Sequence, residues 1–229
     1  MKLVKAEILT IGDEILFGQI VDTNSQWISS ELDTLGIKTV RKTTVADNES
    51  EILEALDQAL SRADIILITG GLGPTKDDLT KPCLAKYFDC ELILYQQALD
   101  DLYKIFNRLD REMTETNRQQ AYLPSKCTMI SNRAGTAPGM WFQEKQKVVV
   151  SMPGVPHEMK IMMTEQILPK LQSVFKTPVI YHKLIKTIGI GESWLSDKIA
   201  PWEEQLPAHI KLAYLPGLGE VKLRLTAIG

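Results

Sequence analysis

The sequence DIILITGGLGPTKDDLT, residues 64–80, decides the fold class of this chain. Its first six residues form a short apolar run, which predicts a buried strand ending at Thr69. The glycine-rich turn that follows contains Gly70, Gly71 and Gly73, and it lies between a strand and a helix, where open parallel sheets bind ligands. Glycine lets a backbone approach a phosphate closely, and amides at the next helix start point at the anion. The stretch predicts a phosphate-binding turn, with a plain tight turn as the alternative; the Walker order of residues is absent.

The rest of the chain alternates between short strand-like runs and longer helical stripes. This alternation predicts an α/β fold with three αβα layers around a mainly parallel sheet. We expect a helix from about Thr23 with a capping box to Gln26, and a second helix capped by Ser50. Residues 96–120 are also expected to be helical. These elements form one predicted domain, residues 1–174.

After Thr177 and Pro178 the pattern changes to a strand, a helix and two further strands. This predicts a small α+β unit over residues 178–229. Because the chain stops shortly after the final strand pattern, we expect a truncated chain or a separate partner domain.

Composition excludes several functional classes. A net charge of -3 gives no field that would gather nucleic acid or an anionic membrane, so the sequence disfavours both as partners. No apolar run approaches the roughly 18 to 20 residues of a membrane span, and the first residues resemble a strand rather than a secretion signal. The three cysteines lack disulfide or metal spacing, so we expect reduced thiols in a cytoplasmic protein.

Carboxylates follow three of the predicted strand ends. Asp13 and Glu14 come after the first strand, Asp77 and Asp78 lie in the glycine turn, and Glu158 follows a later strand. Adjacent carboxylates would repel a phosphate unless a divalent cation lay between them. The sequence therefore predicts a Mg²⁺ site at the shared edge of a parallel sheet. A helix N-cap is the alternative for Asp78, and a favourable helix-dipole position is the alternative for Glu158.

The candidate site residues fall into three groups. The metal ligands are Asp13, Asp77 and Asp78, and the candidate catalytic residues are Asp78, Glu14, Glu158 and His157, of which His157 could act as a general acid or base. The candidate phosphate contacts are the residues of these loops and nearby polar side chains: Gly12, Gly70, Gly71, Gly73, Thr75, Lys76, Thr80, Asn117, Arg118, Pro153 and Gly154.

Taken in order, the motifs of the chain resemble those of the CinA (competence/damage-inducible) family. The matching segments cover essentially the whole chain: residues 12–18, 22–24, 69–80, 117–121, 134–139, 152–159, 189–192 and 219–225. The resemblance implies a molybdopterin-binding-like first domain, in which the glycine turn cradles a terminal phosphate and Asp78 lies near the reacting phosphoryl group. It also implies a KH-like unit after Pro178 and a homodimer.

The same resemblance implies metal-dependent hydrolysis of the pyrophosphate of ADP-ribose or a related nucleotide, with Glu158 or Glu14 as the base. Many family members continue into a nicotinamide mononucleotide deamidase domain, whose sequence is not part of this chain, so deamidation is not assigned here. Two alternatives stay open. One is a molybdopterin-binding or adenylyl-transfer protein of molybdenum-cofactor biosynthesis, and the other is a non-catalytic scaffold whose KH-like tail touches RNA.

Overall fold

The structure is a computed structural model that describes residues 3–229. The strands in chain order are β1 (Lys5–Ile11), β2 (Lys38–Val45), β3 (Ile65–Thr69), β4 (Leu92–Leu94), β5 (Tyr122–Pro124), β6 (Thr128–Ile130), β7 (Gly139–Glu144), β8 (Lys147–Met152), β9 (Ile180–Ile188), β10 (Ile210–Gly217) and β11 (Glu220–Ile228). The helices are α1 (Asp13–Leu16), α2 (Thr23–Thr34), α3 (Glu49–Arg62), α4 (Thr80–Tyr87), α5 (Gln96–Arg108), α6 (Glu115–Arg118), α7 (Pro156–Met162), α8 (Leu168–Val174) and α9 (Glu192–Glu203). A π-helical segment, Met163–Ile167, joins α7 to α8.

The main sheet has six strands in the order β2-β1-β3-β8-β7-β6. The first four of these are parallel to one another, whereas β7 and β6 continue the sheet in antiparallel fashion. Alternate residues of β3 face opposite sides: Ile65 and Leu67 join one buried cluster, while Ile66 and Ile68 join the other. Helices α2, α7 and α8 cover the first side, and α3 and α4 cover the second. The three-layer αβα fold that the sequence predicts is therefore confirmed.

Both predicted helices are present, and α2 begins at Thr23 as expected, but the two predicted capping residues are wrong. Helix α2 is capped by Asp22, whose Oδ1 accepts a hydrogen bond from the Ser25 amide at 2.9 Å, and not by a Thr23 capping box. Helix α3 is capped by Asn48, whose Oδ1 accepts from the amides of Ser50 and Glu51. In both cases a carboxylate or amide oxygen just before the first turn reaches the unpaired amides that a helix start leaves.

The segment predicted to be helical over residues 96–120 is broken. Helix α5 ends at Arg108, and the chain then turns through Asp110, which has a φ of 50°, before α6 begins. Strands β4 and β5 pair with each other in a separate two-stranded sheet that the sequence pattern did not predict. The three residues of β4, Leu92, Ile93 and Leu94, are all apolar, so the alternation of apolar and polar residues that indicates a strand is missing from the sequence, and all three are exposed.

The chain from Ile180 onward forms a small unit with an antiparallel sheet in the order β10-β11-β9. Its own core contains Leu195 of α9 packed near Val221 and Leu223 of β11. The entry into this unit passes close to the turn after α2: a Cβ at Gly36, whose φ is +72°, would lie 1.9 Å from the carbonyl oxygen of Pro178. The proposed division of the chain between residues 174 and 178 stays a prediction. Within residues 3–229, the helices are too short or too polar to cross a membrane.

Two of the three free cysteines are expected to resist thiol reagents in the native protein. Cys83 and Cys127 are buried, and burial raises the pKa of each thiol to about 11. At pH 8 each thiol should then be only about 0.1% ionised, and the thiolate is the reactive form. We expect Ellman's reagent to label the partly exposed Cys90 first and the other two only in denaturant. Rapid labelling of all three thiols in the native state would contradict this burial.

Candidate functional site

The carboxyl ends of three neighbouring parallel strands open into one cavity of about 470 Å³. Thr10 of β1 lies opposite Thr69 of β3, and Thr69 lies opposite Met152 of β8, so the loops that follow these strands leave the sheet side by side. All three loops line the cavity. The structure thus brings together the segments that begin at Gly12, Gly70 and Pro153, as expected for ligand sites of open α/β sheets.

The glycine turn is held in place from both sides. The amide of Gly70 donates to the carbonyl of Met152 at 3.1 Å, and the hydroxyl of Thr80 donates to the carbonyl of Gly70 at 2.8 Å. A Cβ at Gly70 would lie 2.1 Å from the carbonyl oxygen of Ile11, and a Cβ at Gly71 would lie 2.3 Å from the Thr80 hydroxyl. Thr80 is fully buried and supports the turn instead of lining the cavity. The backbone itself therefore forms this part of the cavity wall.

Asp78 closes the loop that follows the glycine turn. Its Oδ1 accepts from the Gly73 amide at 2.8 Å, and its Oδ2 accepts from the Thr75 amide at 2.9 Å and from the Thr75 hydroxyl. The alternative that Asp78 is an N-cap is wrong, since the N-cap of α4 is Leu79 and no side chain caps that helix. Asp78 lines the cavity and at the same time fixes the path of residues 73–78.

Asp47 lies at the same edge and was not among the predicted site residues. It follows β2, lines the cavity and exchanges hydrogen bonds with Asp13: the Asp13 amide donates to Asp47 Oδ2 at 3.0 Å, and the Asp47 amide donates to Asp13 Oδ1 at 3.4 Å. Burial raises the pKa of Asp47, and the charges of Asp13, Glu14 and Asp77 raise it further. Its position two residues after the end of a parallel strand is the sequence signal that could have identified it.

Glu158 is positioned by a side chain from a neighbouring loop. The Asn132 amide nitrogen donates to Glu158 Oε2 at 2.6 Å and to the Ala137 carbonyl at 2.9 Å. The Asn132 oxygen accepts from the amides of Ala134 and Gly135. Asn132 is buried, so this network holds the partly buried Glu158 carboxylate at one wall of the cavity.

The cavity lining suits a hard cation in its chemistry. Among the described residues, its lining has no lysine, arginine or histidine. It has six carboxylates: Glu14, Asp22, Asp47, Asp77, Asp78 and Glu158. Oxygen ligands of this kind are what Mg²⁺ prefers, and a cation would relieve the repulsion that raises the pKa of Asp47. Within residues 3–229, however, no three His, Cys, Asp or Glu side chains lie close enough together to share one ion. The donor chemistry fits Mg²⁺, and the individual ligands stay proposals.

Several predicted contacts lie outside this cavity. The Asn117 side chain forms a capping box with Thr114 at the start of α6, so local helix capping accounts for its amide. Arg118, Lys76 and His157 are exposed and do not line the cavity. Asp13 contacts Asp47 but does not line the cavity, and Thr75 lines a neighbouring pocket instead. The glycines and Pro153, together with Glu14, Asp77, Asp78 and Glu158, do line the cavity.

Two buried amide side chains in the lining were missed by sequence reasoning. The Asn24 nitrogen donates to the Gly154 carbonyl at 2.6 Å, and the Gln120 nitrogen donates to the Leu72 carbonyl at 3.5 Å. The side-chain oxygens of both residues are buried without a hydrogen-bond partner in the described structure. An unpaired buried acceptor costs about 1–3 kcal/mol, so a ligand or water that supplied a donor would stabilise either side chain.

Comparison with known proteins identifies the family of both parts of the chain. Residues 7–173 match a family model described as a probable molybdopterin binding domain, and residues 182–229 match the model of the damage-inducible protein CinA KH domain. A CinA-like protein of Cytophaga hutchinsonii is 53% identical over 99% of this chain. A second CinA-like protein, from Flavobacterium psychrophilum, is 46% identical over 99% of this chain. In both cases the match covers 54% of the relative, so the chain spans about half the length of the curated relatives it matches.

Of two similar solved structures, one supports the family and the other supports the fold. The crystal structure of CinA from Thermoplasma acidophilum, a protein described as having unknown function, is 32% identical with a TM-score of 0.66 and covers 75% of this chain and 98% of its own. The molybdopterin biosynthesis enzyme MoaB from Thermus thermophilus is 19% identical with a TM-score of 0.51, covers 75% of this chain and 94% of its own, and shares the fold alone. The chain therefore belongs to the CinA family, with a molybdopterin-binding-type domain followed by a CinA KH domain.

Proposed function

We propose that this chain hydrolyses the pyrophosphate of ADP-ribose or a closely related nucleotide with the help of Mg²⁺. The observation that carries the proposal is a glycine turn, closed to side chains at Gly70 and Gly71, in the same cavity as six carboxylates. A bare backbone at this place suits the close approach of a phosphate, and the carboxylates suit the cation that accompanies a pyrophosphate.

Each part of the cavity has a proposed role. The glycine turn would contact one phosphate, and one or two carboxylates among Asp13, Asp47, Asp77 and Asp78 would hold the cation together with phosphate oxygens, since no three of the described acids lie close enough to share one ion. When bound, Mg²⁺ supplies charge neutralisation to the pyrophosphate and lowers the pKa of a bound water. Glu158, oriented by Asn132, is the proposed base that takes a proton from the attacking water, with Glu14 as the other candidate. His157 is exposed, so the proposal gives it no role.

A panel of nucleotide diphosphates, assayed with Mg²⁺ and with EDTA, tests the proposal. We expect ADP-ribose to yield AMP and ribose 5-phosphate with Mg²⁺, and the yield with EDTA to fall to the level of the uncatalysed reaction. The release of each monophosphate is measured by chromatography. An absence of product from every member of the panel with Mg²⁺ would contradict the assignment as a hydrolase.

A molybdopterin-binding or adenylyl-transfer function is the second candidate. The match of residues 7–173 to a molybdopterin-binding model favours it. Equilibrium binding of molybdopterin, measured beside ADP-ribose under the same conditions, separates the two candidates. Tight binding of molybdopterin without hydrolysis of ADP-ribose would replace the first proposal with the second.

A further inference from the structure

A second cavity lies on the other side of the loop that Asp78 closes. Its volume is about 450 Å³, and it shares four lining residues with the first cavity: Gly73, Pro74, Asp78 and Gln120. The two cavities are thus neighbours across one loop. A ligand that extends past this loop would place one arm in each cavity.

Lys81 is the positively charged side chain of this region. Among the described residues that line either cavity, no other lysine or arginine is present. The Lys81 ammonium group donates to the Gln119 carbonyl at 3.1 Å, and burial lowers its pKa to about 8, an effect that the charge of Asp78 partly opposes. Lys81 is also the second residue of α4, where the positive end of the helix dipole disfavours a cation. The fold therefore holds this charge at an energetic cost, which a bound anion would offset.

The second cavity offers polar groups that can bind a sugar. Thr75, Glu115, Thr116 and Gln119 supply hydroxyl, amide or carboxylate groups to its lining, beside the apolar and aromatic side chains of Pro82, Leu92 and Tyr122. Gln120, which is 2% exposed and lines both cavities, carries the buried oxygen without a partner in the described structure. Sugar hydroxyls are donors that such acceptors can bind. The first cavity offers aliphatic side chains beside its carboxylates, namely Ile15, Ile20 and Val21.

We infer that the second cavity is the subsite for the sugar-phosphate arm of a pyrophosphate ligand, with Lys81 contacting the phosphate and Gln120 accepting from a sugar hydroxyl. The nucleoside arm then occupies the first cavity, and the pyrophosphate crosses the loop at Gly73. This inference rests on the proposed function, since it assumes a ligand with two arms joined by a pyrophosphate.

Equilibrium binding to variants of two lysines on α4 tests the inference. The probes are AMP and the α,β-methylene analogue of ADP-ribose, which cannot be hydrolysed at the pyrophosphate, both measured with Mg²⁺. Lys81→Met should lower the affinity for the analogue by about 10- to 100-fold, because a hydrogen bond to a charged group is lost. The affinity for AMP should fall by less than about 3-fold. Lys81→Arg should restore most of the affinity. Lys86→Met is the matched control, since Lys86 lies on the same helix, is exposed and pairs with Glu49 away from both cavities.

The outcomes separate the subsite from the reaction. An unchanged affinity of Lys81→Met for the analogue, or an equal loss for AMP, would overturn the inference while leaving hydrolysis intact. Weaker binding by Lys81→Met in a protein that does not hydrolyse ADP-ribose would support the subsite and reject the reaction. If the wild-type chain binds neither probe, the subsite inference and the proposed reaction both fail. Removal of a cation that the fold disfavours should not lower stability at pH 7, so urea unfolding of Lys81→Met verifies that the variant is folded.

Discussion

Replacement of Asp78 by alanine is expected to lower the turnover of ADP-ribose by about 10²- to 10³-fold, a loss similar to that of a key charge-stabilising group. The Asp78 carboxylate accepts hydrogen bonds from the Gly73 amide, the Thr75 amide and the Thr75 hydroxyl. Without it, residues 73–78 lose the contacts that hold them between the two cavities, and the first cavity loses one of its carboxylates. Initial rates with Mg²⁺ at saturating substrate measure the effect.

The fold should survive this change, because Asp78 lies in a surface loop rather than in the core. Circular dichroism and urea unfolding of Asp78→Ala test that expectation. Asp57→Ala, an exposed acid on α3 that contacts the Tyr87 hydroxyl, is the matched control and should retain wild-type turnover. If Asp78→Ala turns over ADP-ribose at the wild-type rate, Asp78 has no part in the reaction.

Replacement of Gly70 by alanine is expected to lower the free energy of unfolding by about 3 kcal/mol or more. Gly70 has a φ of +100°, and an added Cβ would lie 2.1 Å from the Ile11 carbonyl oxygen, a backbone atom that cannot move aside without disturbing β1. The Gly70 amide also donates to the Met152 carbonyl, so a shift of the turn would disturb the end of β8. Urea unfolding followed by tryptophan fluorescence measures the change.

Gly189→Ala separates the two causes of this loss. Gly189 also has a positive φ, +77°, but among the described residues no atom outside Gly189 and its two chain neighbours lies within 4 Å of a Cβ placed there. It should therefore show backbone strain alone, about 1–2 kcal/mol. Equal losses for the two variants would show that the close contact with Ile11 contributes nothing.

Much of the site edge could be predicted from the sequence, because parallel strands place their carboxyl ends at one edge of the sheet. A buried apolar run followed by Gly70 and Gly71 indicates where β3 ends, and the same reasoning places the loops after β1 and β8 beside it. Asp47 follows from this rule as well, since β2 is parallel to β1 and ends two residues before Asp47.

The remaining parts of the site depend on contacts between distant segments. Nothing near Asn24 in the sequence shows that its amide meets the Gly154 carbonyl, and nothing near Gln120 indicates the Leu72 carbonyl. Asn117 illustrates the opposite error, because a polar side chain that suggests an anion contact is used to cap its own helix. Local pattern predicts strand ends well, whereas the partner of a single amide is set by tertiary packing.

The strand order of the main sheet also constrains when the cavity can form during synthesis. Strand β3 pairs on one side with β1 and on the other with β8, and Ile65 lies opposite Val148. A nascent chain that ends before β8 has the glycine turn but neither the Met152 carbonyl that anchors it nor helix α7, which carries Glu158. Because pairing between segments so far apart in sequence is slow to nucleate, ligand binding should be among the last properties that a newly made chain acquires.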